Sequence, residues 1–147
     1  MKIAIASDHG GYQLKELLKE YIKGMGEYEI LDLGTDSEES VDYPAYGIAV
    51  GEAVSKREAD KGIVCCGTGL GISIACNKVK GIRCALCTDA HMAALSRQHN
   101  NANVLALGGR TTFPEDAKAI VDIWLSTDFE GDRHQRRLDI ISDYESK

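Results

Sequence analysis

The chain has 147 residues, enough for one domain that buries roughly 70% of the surface its unfolded form exposes, so no disulfide or structural metal is needed to hold a core. A formal net charge of −6 argues against nucleic acid or an anionic membrane as the main partner, and 44% hydrophobic with 27% charged residues argues against disorder. No run approaches the roughly 18 apolar residues of a membrane span, and five cysteines, odd in number and set in apolar segments, read as free thiols of a reducing cytoplasm.

Met1 to Ala6 is short, apolar and followed at once by Ser7-Asp8-His9, so it reads as a first strand and not as a signal peptide. After Gly10-Gly11, the residues Tyr12, Leu14, Leu17, Leu18, Tyr21 and Ile22 recur at helical spacing, with Lys15, Glu16, Lys19, Glu20 and Lys23 on the polar face. Tyr28 to Leu33 is a second strand, and residues 34–40 are a polar loop. A second helix starts at Asp42-Tyr43-Pro44 and runs to about Lys56.

Gly62 to Cys65 is a third strand that leads into Cys66-Gly67-Thr68-Gly69-Leu70-Gly71-Ile72-Ser73 and a third helix. Three glycines at alternate positions let the main chain turn sharply and approach a ligand, while a helix start offers unpaired NH groups. Cys66 stands at the lip of that turn, so one segment offers a base and an anion cradle together. A tight structural connection would use the same glycines. A dinucleotide fingerprint fails because Ile72 or Ile74 stands where its third small residue belongs, and the Gly-Lys-Ser/Thr ending of a nucleotide P-loop is missing.

Arg83 to Cys87 is a fourth strand, Thr88-Asp89 caps a helix carrying Met92, Ala93, Leu95 and Ser96, and Val104 to Leu107 is a fifth strand. Residues 111–115 cap a helix that runs through Trp124 and Leu125. The expected fold is therefore α/β, a Rossmann-like three-layer α/β/α sandwich on a five-stranded parallel sheet, forming one domain over residues 1–147. Ligands of such sheets bind at the carboxyl ends of the strands. Asp8, His9, Cys66 to Gly71 and Arg110 all fall there, and Asp42 and Tyr43 stand in the loop after strand two. His99 and Asn100, at the far end of the fourth helix, do not follow from this rule.

From about residue 128 the alternation ends in a C-terminal extension. Three of the seven arginines, Arg133, Arg136 and Arg137, fall within five residues, and helical spacing puts Arg133 and Arg137 on one face. A phosphate clamp delivered to a neighbouring subunit and a solvated charged tail both fit. Cys65, Cys76, Cys84 and Cys87 read as small core residues. Cys84 and Cys87 match a redox or zinc spacing, but a strand sends positions three apart to opposite faces. His91 and His99, eight apart, would lie about 12 Å apart along a helix axis, so no metal site is expected. No Gly-x-Ser-x-Gly elbow supports a serine hydrolase.

Asp8-His9-Gly10-Gly11, Asp42-Tyr43-Pro44, Cys66-Gly67-Thr68-Gly69-x-Gly71-x-Ser73, Asn77-Lys78, Ser96-Arg97-Gln98-His99-Asn100 and Arg133-His134-Gln135-Arg136-Arg137 together resemble the ribose-5-phosphate isomerase type B family, which also holds galactose-6-phosphate and allose-6-phosphate isomerases. The likeness covers essentially the whole chain. It implies a cofactor-free and metal-free aldose–ketose isomerisation of ribose 5-phosphate and ribulose 5-phosphate through a cis-enediolate, with a place in the pentose phosphate pathway. By the same likeness Cys66 is the base, Gly67, Gly69 and Gly71 hold the enediolate oxygen with help from Thr68, and His99 opens the furanose ring with Asp8 nearby. His9 and Arg110 grip the phosphate from one subunit and Arg133 and Arg137 from the other, while Tyr43 and Asn100 line the sugar. One branch of the family carries a glutamate base where this chain has Ile72, so Cys66 selects the thiolate version. The likeness also implies a cytoplasmic homodimer, or a pair of such dimers, with the C-terminal helix reaching its partner subunit. The alternatives are the same chemistry on a 6-phosphohexose, a non-catalytic sugar-phosphate binding module, and a redox role for Cys65-Cys66.

Overall fold

A computed structural model describes residues 1–147. The chain forms β1 (Lys2–Ser7), a single 3₁₀ turn (His9–Gly11), α1 (Tyr12–Gly24), β2 (Glu29–Asp32), α2 (Tyr43–Ser55), β3 (Lys61–Cys66) and α3 (Leu70–Cys76). It continues through β4 (Cys84–Leu86), α4 (Ala90–Gln98), β5 (Val104–Gly108), α5 (Pro114–Ser126) and α6 (Arg133–Glu145). The strands form one sheet in the order β2-β1-β3-β5-β4, and every neighbouring pair is parallel.

The strand period of two sorts the core into two layers. Ile3, Ile5, Ile63, Cys65, Leu105 and Leu107 face α1, α4 and α5, together with Leu18, Ile22, Ile120 and Trp124. Ala4, Ala6, Val64, Cys66, Val104 and Ala106 face α2 and α3, together with Val50, Val54, Ile72 and Cys76. The strands' side chains are large on the first face and small on the second, so α2 and α3 pack close. At Gly47 of α2 an added Cβ would lie 2.9 Å from the Ile72 carbonyl oxygen of α3. The outcome is the expected three-layer sandwich.

β3 is the middle strand, and the layers decide what lies beside its carboxyl end. β1 and β5 send α1 and α5 to one face, while β3 sends α3 to the other. Crevices therefore open on both sides of the end of β3, where loops diverge from adjacent strands. Register places Ser7 beside Cys65 and Cys66 beside Gly108, so three strand ends stop level at one edge.

Two edge strands are shorter than the sequence pattern predicts. β4 begins at Cys84 because the Arg83 NH donates to the Asn103 side chain at 2.8 Å instead of joining the ladder. β2 covers Glu29–Asp32 and leaves Tyr28 and Leu33 outside. The cap of α4 is Asp89 alone, whose carboxylate accepts from the Met92 NH at 2.8 Å, and α5 begins after Phe113 without a side-chain cap.

Lys15 is the larger correction. Helical spacing puts it on the polar face of α1, yet it is 0% exposed. Its ammonium donates to the Thr35 carbonyl at 2.7 Å and to the Asp32 carboxylate at 2.9 Å, and Lys19 reaches the same carboxylate at 2.6 Å. These bonds tie α1 to the loop after β2. Burial alone would raise the Asp32 pKa, but hydrogen bonds from Lys19, Lys15 and the Gly34 NH outweigh it and hold the carboxyl below its ordinary range. A depressed carboxyl pKa stabilises the fold above the unfolded value near 3.9 and ceases to do so as pH falls through the lower folded value. Asp32→Asn should therefore lower the melting temperature at pH 7, with the gap from the parent protein closing as pH is taken from about 5 toward 2 in thermal unfolding scans.

Candidate functional site

The end of β3 is built around a left-handed glycine. Gly69 has φ +82°, and an added Cβ would sit 2.6 Å from Leu86 Cδ1 and 2.9 Å from the Leu107 carbonyl carbon. Only glycine combines that backbone with that space. The conformation aims the Gly69 NH at Cys66, whose Sγ accepts it at 3.1 Å. The Leu70 NH turns instead to Thr68 Oγ1 at 3.2 Å.

The same turn is joined to the loop after β5. Gly109 NH donates to the Cys66 carbonyl at 2.8 Å, and Arg110 NH donates to the Gly67 carbonyl at 2.9 Å. The Arg110 guanidinium consequently lies over Gly67 and Gly10: a Cβ on either would be 3.1 Å from Nη1 and 3.3 Å from Cζ respectively. On the other side the Tyr43 ring, at the start of α2, presses on Gly71, where an added Cβ would lie 2.6 Å from Cζ.

Asp8 is buried at the end of β1, with Oδ1 accepting the Gly11 NH at 3.1 Å and its own NH donating to the Cys65 carbonyl. His9 Nδ1 accepts the Val41 NH at 3.2 Å. That bond assigns the neutral ring's proton to Nε2, leaving a donor for a ligand. His9 and Arg110 share a cavity of about 300 Å³ with Gln13 and Glu38, which hydrogen-bond each other. Sequence reasoning missed Gln13 and Glu38, since one reads as a surface helix position and the other as part of an acidic loop.

The cysteines divide as the strand period predicts. Cys65 points into the opposite layer at 0% exposure, and burial pushes its thiol far up from the ordinary range. A hydrogen bond with Cys76 and burial push Cys84 up, and burial raises Cys87. Ile72 is fully buried against α2.

His99 lies elsewhere. α4 runs back from the carboxyl edge, so its C-cap residue His99 sits toward the amino edge of the sheet, away from the strand end that carries Cys66. The expected neighbourhood of His99 and Asp8 is therefore not formed within one chain. His99 instead stacks on His134 with ring centroids 4.3 Å apart. His134 is buried, and its Nε2 is 3.5 Å from Glu130 Oε1. Asn100 is exposed beside His99, and Arg133 and Arg137 lie on α6 with His134. The chain thus carries two groups: Asp8, His9, Tyr43, Cys66 to Gly71 and Arg110 at one edge, and His99, Asn100, Arg133 and Arg137 with the amino edge.

The largest concavity, about 640 Å³, lies between the C-terminal ends of α1 and α5 and is lined by Tyr21, Met25, Tyr28, Leu125 and three carboxylates. No lysine, arginine, histidine or cysteine lines it, so size does not mark the chemistry here.

A buried thiol that receives a backbone NH lies next to a cavity with an arginine and a histidine donor, a lining suited to a small anion. Residues 3–141 match the family model described as Ribose/Galactose Isomerase. Ribose-5-phosphate isomerase B of Escherichia coli is 48% identical, covering 99% of this chain and 97% of its own. The solved ribose-5-phosphate isomerase B of Clostridium thermocellum superposes with a TM-score of 0.98 at 55% identity, over 99% of this chain and 98% of that one. The enzyme of Mycoplasma genitalium, solved with bound ribulose-5-phosphate, superposes at 0.95 with 44% identity, over 99% and 97%. The chain belongs to the ribose/galactose isomerase family and is an enzyme of the aldose–ketose isomerase class.

Gly69→Ala should cost about 1–3 kcal/mol through the strained φ and the contact with Leu107, seen as a lower denaturant midpoint. It should also change the rate at which Cys66 reacts with iodoacetamide, because the NH donor leaves the sulfur. An unchanged midpoint would remove the backbone argument for this glycine.

Proposed function

We propose that the protein interconverts D-ribose 5-phosphate and D-ribulose 5-phosphate, with Cys66 as the base. The observation that carries this reading is the Gly69 NH on Cys66 Sγ, beside the cavity of His9 and Arg110. The bound ribulose-5-phosphate of the Mycoplasma genitalium relative supports the substrate.

On this reading the phosphate occupies the cavity between His9 Nε2 and the Arg110 guanidinium, where charge-assisted hydrogen bonds hold it. His99 opens the furanose ring by proton transfer, assisted by Asp8. The Cys66 thiolate takes the proton from C2 of the open aldose, the C2–H electrons form the C1–C2 double bond, and the C1 oxygen becomes an anion. Backbone NH groups of Gly67 to Gly71, with the Thr68 hydroxyl, stabilise that oxygen as charge develops. The thiol then returns the proton to C1 while the O2 proton passes to O1, leaving a ketone at C2, a hydroxyl at C1 and the thiolate restored. Tyr43 and Asn100 line the sugar.

Because His99, Asn100, Arg133 and Arg137 cannot reach the Cys66 edge of their own chain, a second copy supplies them, and the working unit is a homodimer. Exposed apolar residues on α3 (Leu70 and Ile74) and α6 (Ile140, Ile141 and Tyr144) offer surface for such an association. The terminal helix is then an intersubunit arm.

Cys66→Ala should lower kcat by about 10³-fold or more and abolish solvent deuterium exchange into substrate, while sugar-phosphate binding by calorimetry persists. Full activity in this variant would remove the base, and binding without exchange by the parent protein would leave a binding module. Comparing kcat/KM on ribose 5-phosphate with allose 6-phosphate and galactose 6-phosphate separates pentose from hexose chemistry.

Dimer composition gives a further test. Inactive Cys66→Ala and inactive His99→Asn, unfolded and refolded together, should regain about a quarter of parent activity, since half of random dimers are mixed and each mixed dimer has one intact site. No regain, with mixed dimers demonstrated, would defeat the shared site.

A further inference from the structure

We infer that His99, Glu130 and His134 form a binding site for a divalent transition-metal cation of the zinc type, and that filling it withdraws His99 from catalysis. The second half rests on the role of His99 given above; the first does not.

The three side chains come from three segments: the end of α4, the connection to α6, and the first turn of α6. One donor atom of each lies within 4.8 Å of the other two. Glu130 is held in place by its backbone NH, which donates to the Gln98 carbonyl at 3.1 Å, next to His99. His134 is 5% exposed, and its Nε2 is buried without a hydrogen-bond partner. A buried ring nitrogen in that state is costly unless something satisfies it. The nearest candidate, Glu130 Oε1 at 3.5 Å, is not at bonding distance.

Two imidazoles and a carboxylate are ligands for zinc and its neighbours, with bonds of about 2.0–2.2 Å and an open fourth position. Such a sphere needs donors closer than 4.8 Å, so the stacked rings must tilt apart, and the part-exposed Glu130 leaves a path of entry. Arg133 and Arg137 are the cations facing His134 and oppose a metal; Glu130 is the one facing carboxylate. That balance disfavours ions held by charge alone and leaves those that bond to imidazole nitrogen. Once a metal takes the His99 lone pair, that ring cannot carry a proton for ring opening.

The test uses the full chain freed of metal, titrated with zinc chloride alone in a calorimeter and with cobalt(II) in an absorption spectrometer. The expected result is one saturable equivalent per chain, a cobalt spectrum without a thiolate charge-transfer band, and at least tenfold weaker binding in Glu130→Gln and in His134→Ala. Melting curves establish that each variant is folded. Isomerase activity of the parent protein should fall with zinc and return with EDTA, while Glu130→Gln keeps its metal-free activity and loses the zinc sensitivity. No saturable binding, a thiolate band, or binding unchanged in both variants overturns the site. Zinc bound at these residues without inhibition overturns the link to catalysis. If the parent protein isomerises none of the sugar phosphates but the variants still lose zinc, the metal site stands and the catalytic reading falls.

Discussion

The site depends on how the chain leaves the middle strand. β3 ends level with both neighbours, and its successor helix must start on the face opposite to theirs, so residues 67–69 have to reverse the chain in a confined space between Leu86 and Leu107. The left-handed Gly69 achieves this, and the same dihedral delivers its NH to Cys66 Sγ. The carbonyls of Cys66 and Gly67, unable to continue a ladder, accept from Gly109 and Arg110. Backbone satisfaction, and not a dedicated binding motif, thus fixes where the arginine lies. Gly10 and Gly71 then matter because they lack a Cβ, which lets Arg110 and Tyr43 close on the turn from either side.

A parallel sheet imposes a second constraint. Crossover helices carry the chain back to the amino edge, so residues at the C-terminal ends of helices stand a strand length away from residues at the ends of strands. Cys66 and Arg110 belong to the second kind and His99 to the first. The proposed site, which needs both kinds, requires association of two chains to bring them together. The exposed apolar residues of α3 and α6 are costly in an isolated chain and useful in a pair.

The α/β architecture was legible because strand period two and helix period 3.6 are strong, local signals. The opposite fates of Cys65 and Cys66 were legible for the same reason. Edge-strand limits were not, since a side-chain acceptor such as Asn103 takes an NH from the ladder without altering the hydrophobic pattern. Lys15 was misread because its polar character is local and its burial is tertiary: the carboxylate and carbonyl that satisfy it come from Asp32 and Thr35, well beyond one helix turn. The burial of His134 was not legible either, as its stacking partner is 35 positions away and the arginines beside it face solvent.

These cases share a physical basis that also bears on the thiols. Residue type sets what a group can do, and tertiary placement decides whether it does so. Cys65 and Cys66 are chemically identical and adjacent. One faces an apolar layer of large side chains, where burial strongly disfavours a thiolate and no donor reaches the sulfur. The other stands where the strand gives out and a backbone NH is free to meet it. Moving the register of β3 by one residue would exchange their places and take the Cys66 thiol away from the turn, since a slip in a strand turns every side chain to the other face. The large-to-small division of the two layers resists that slip: Ile63 would then crowd the face that Ala4, Ala6 and Ala106 line with small side chains.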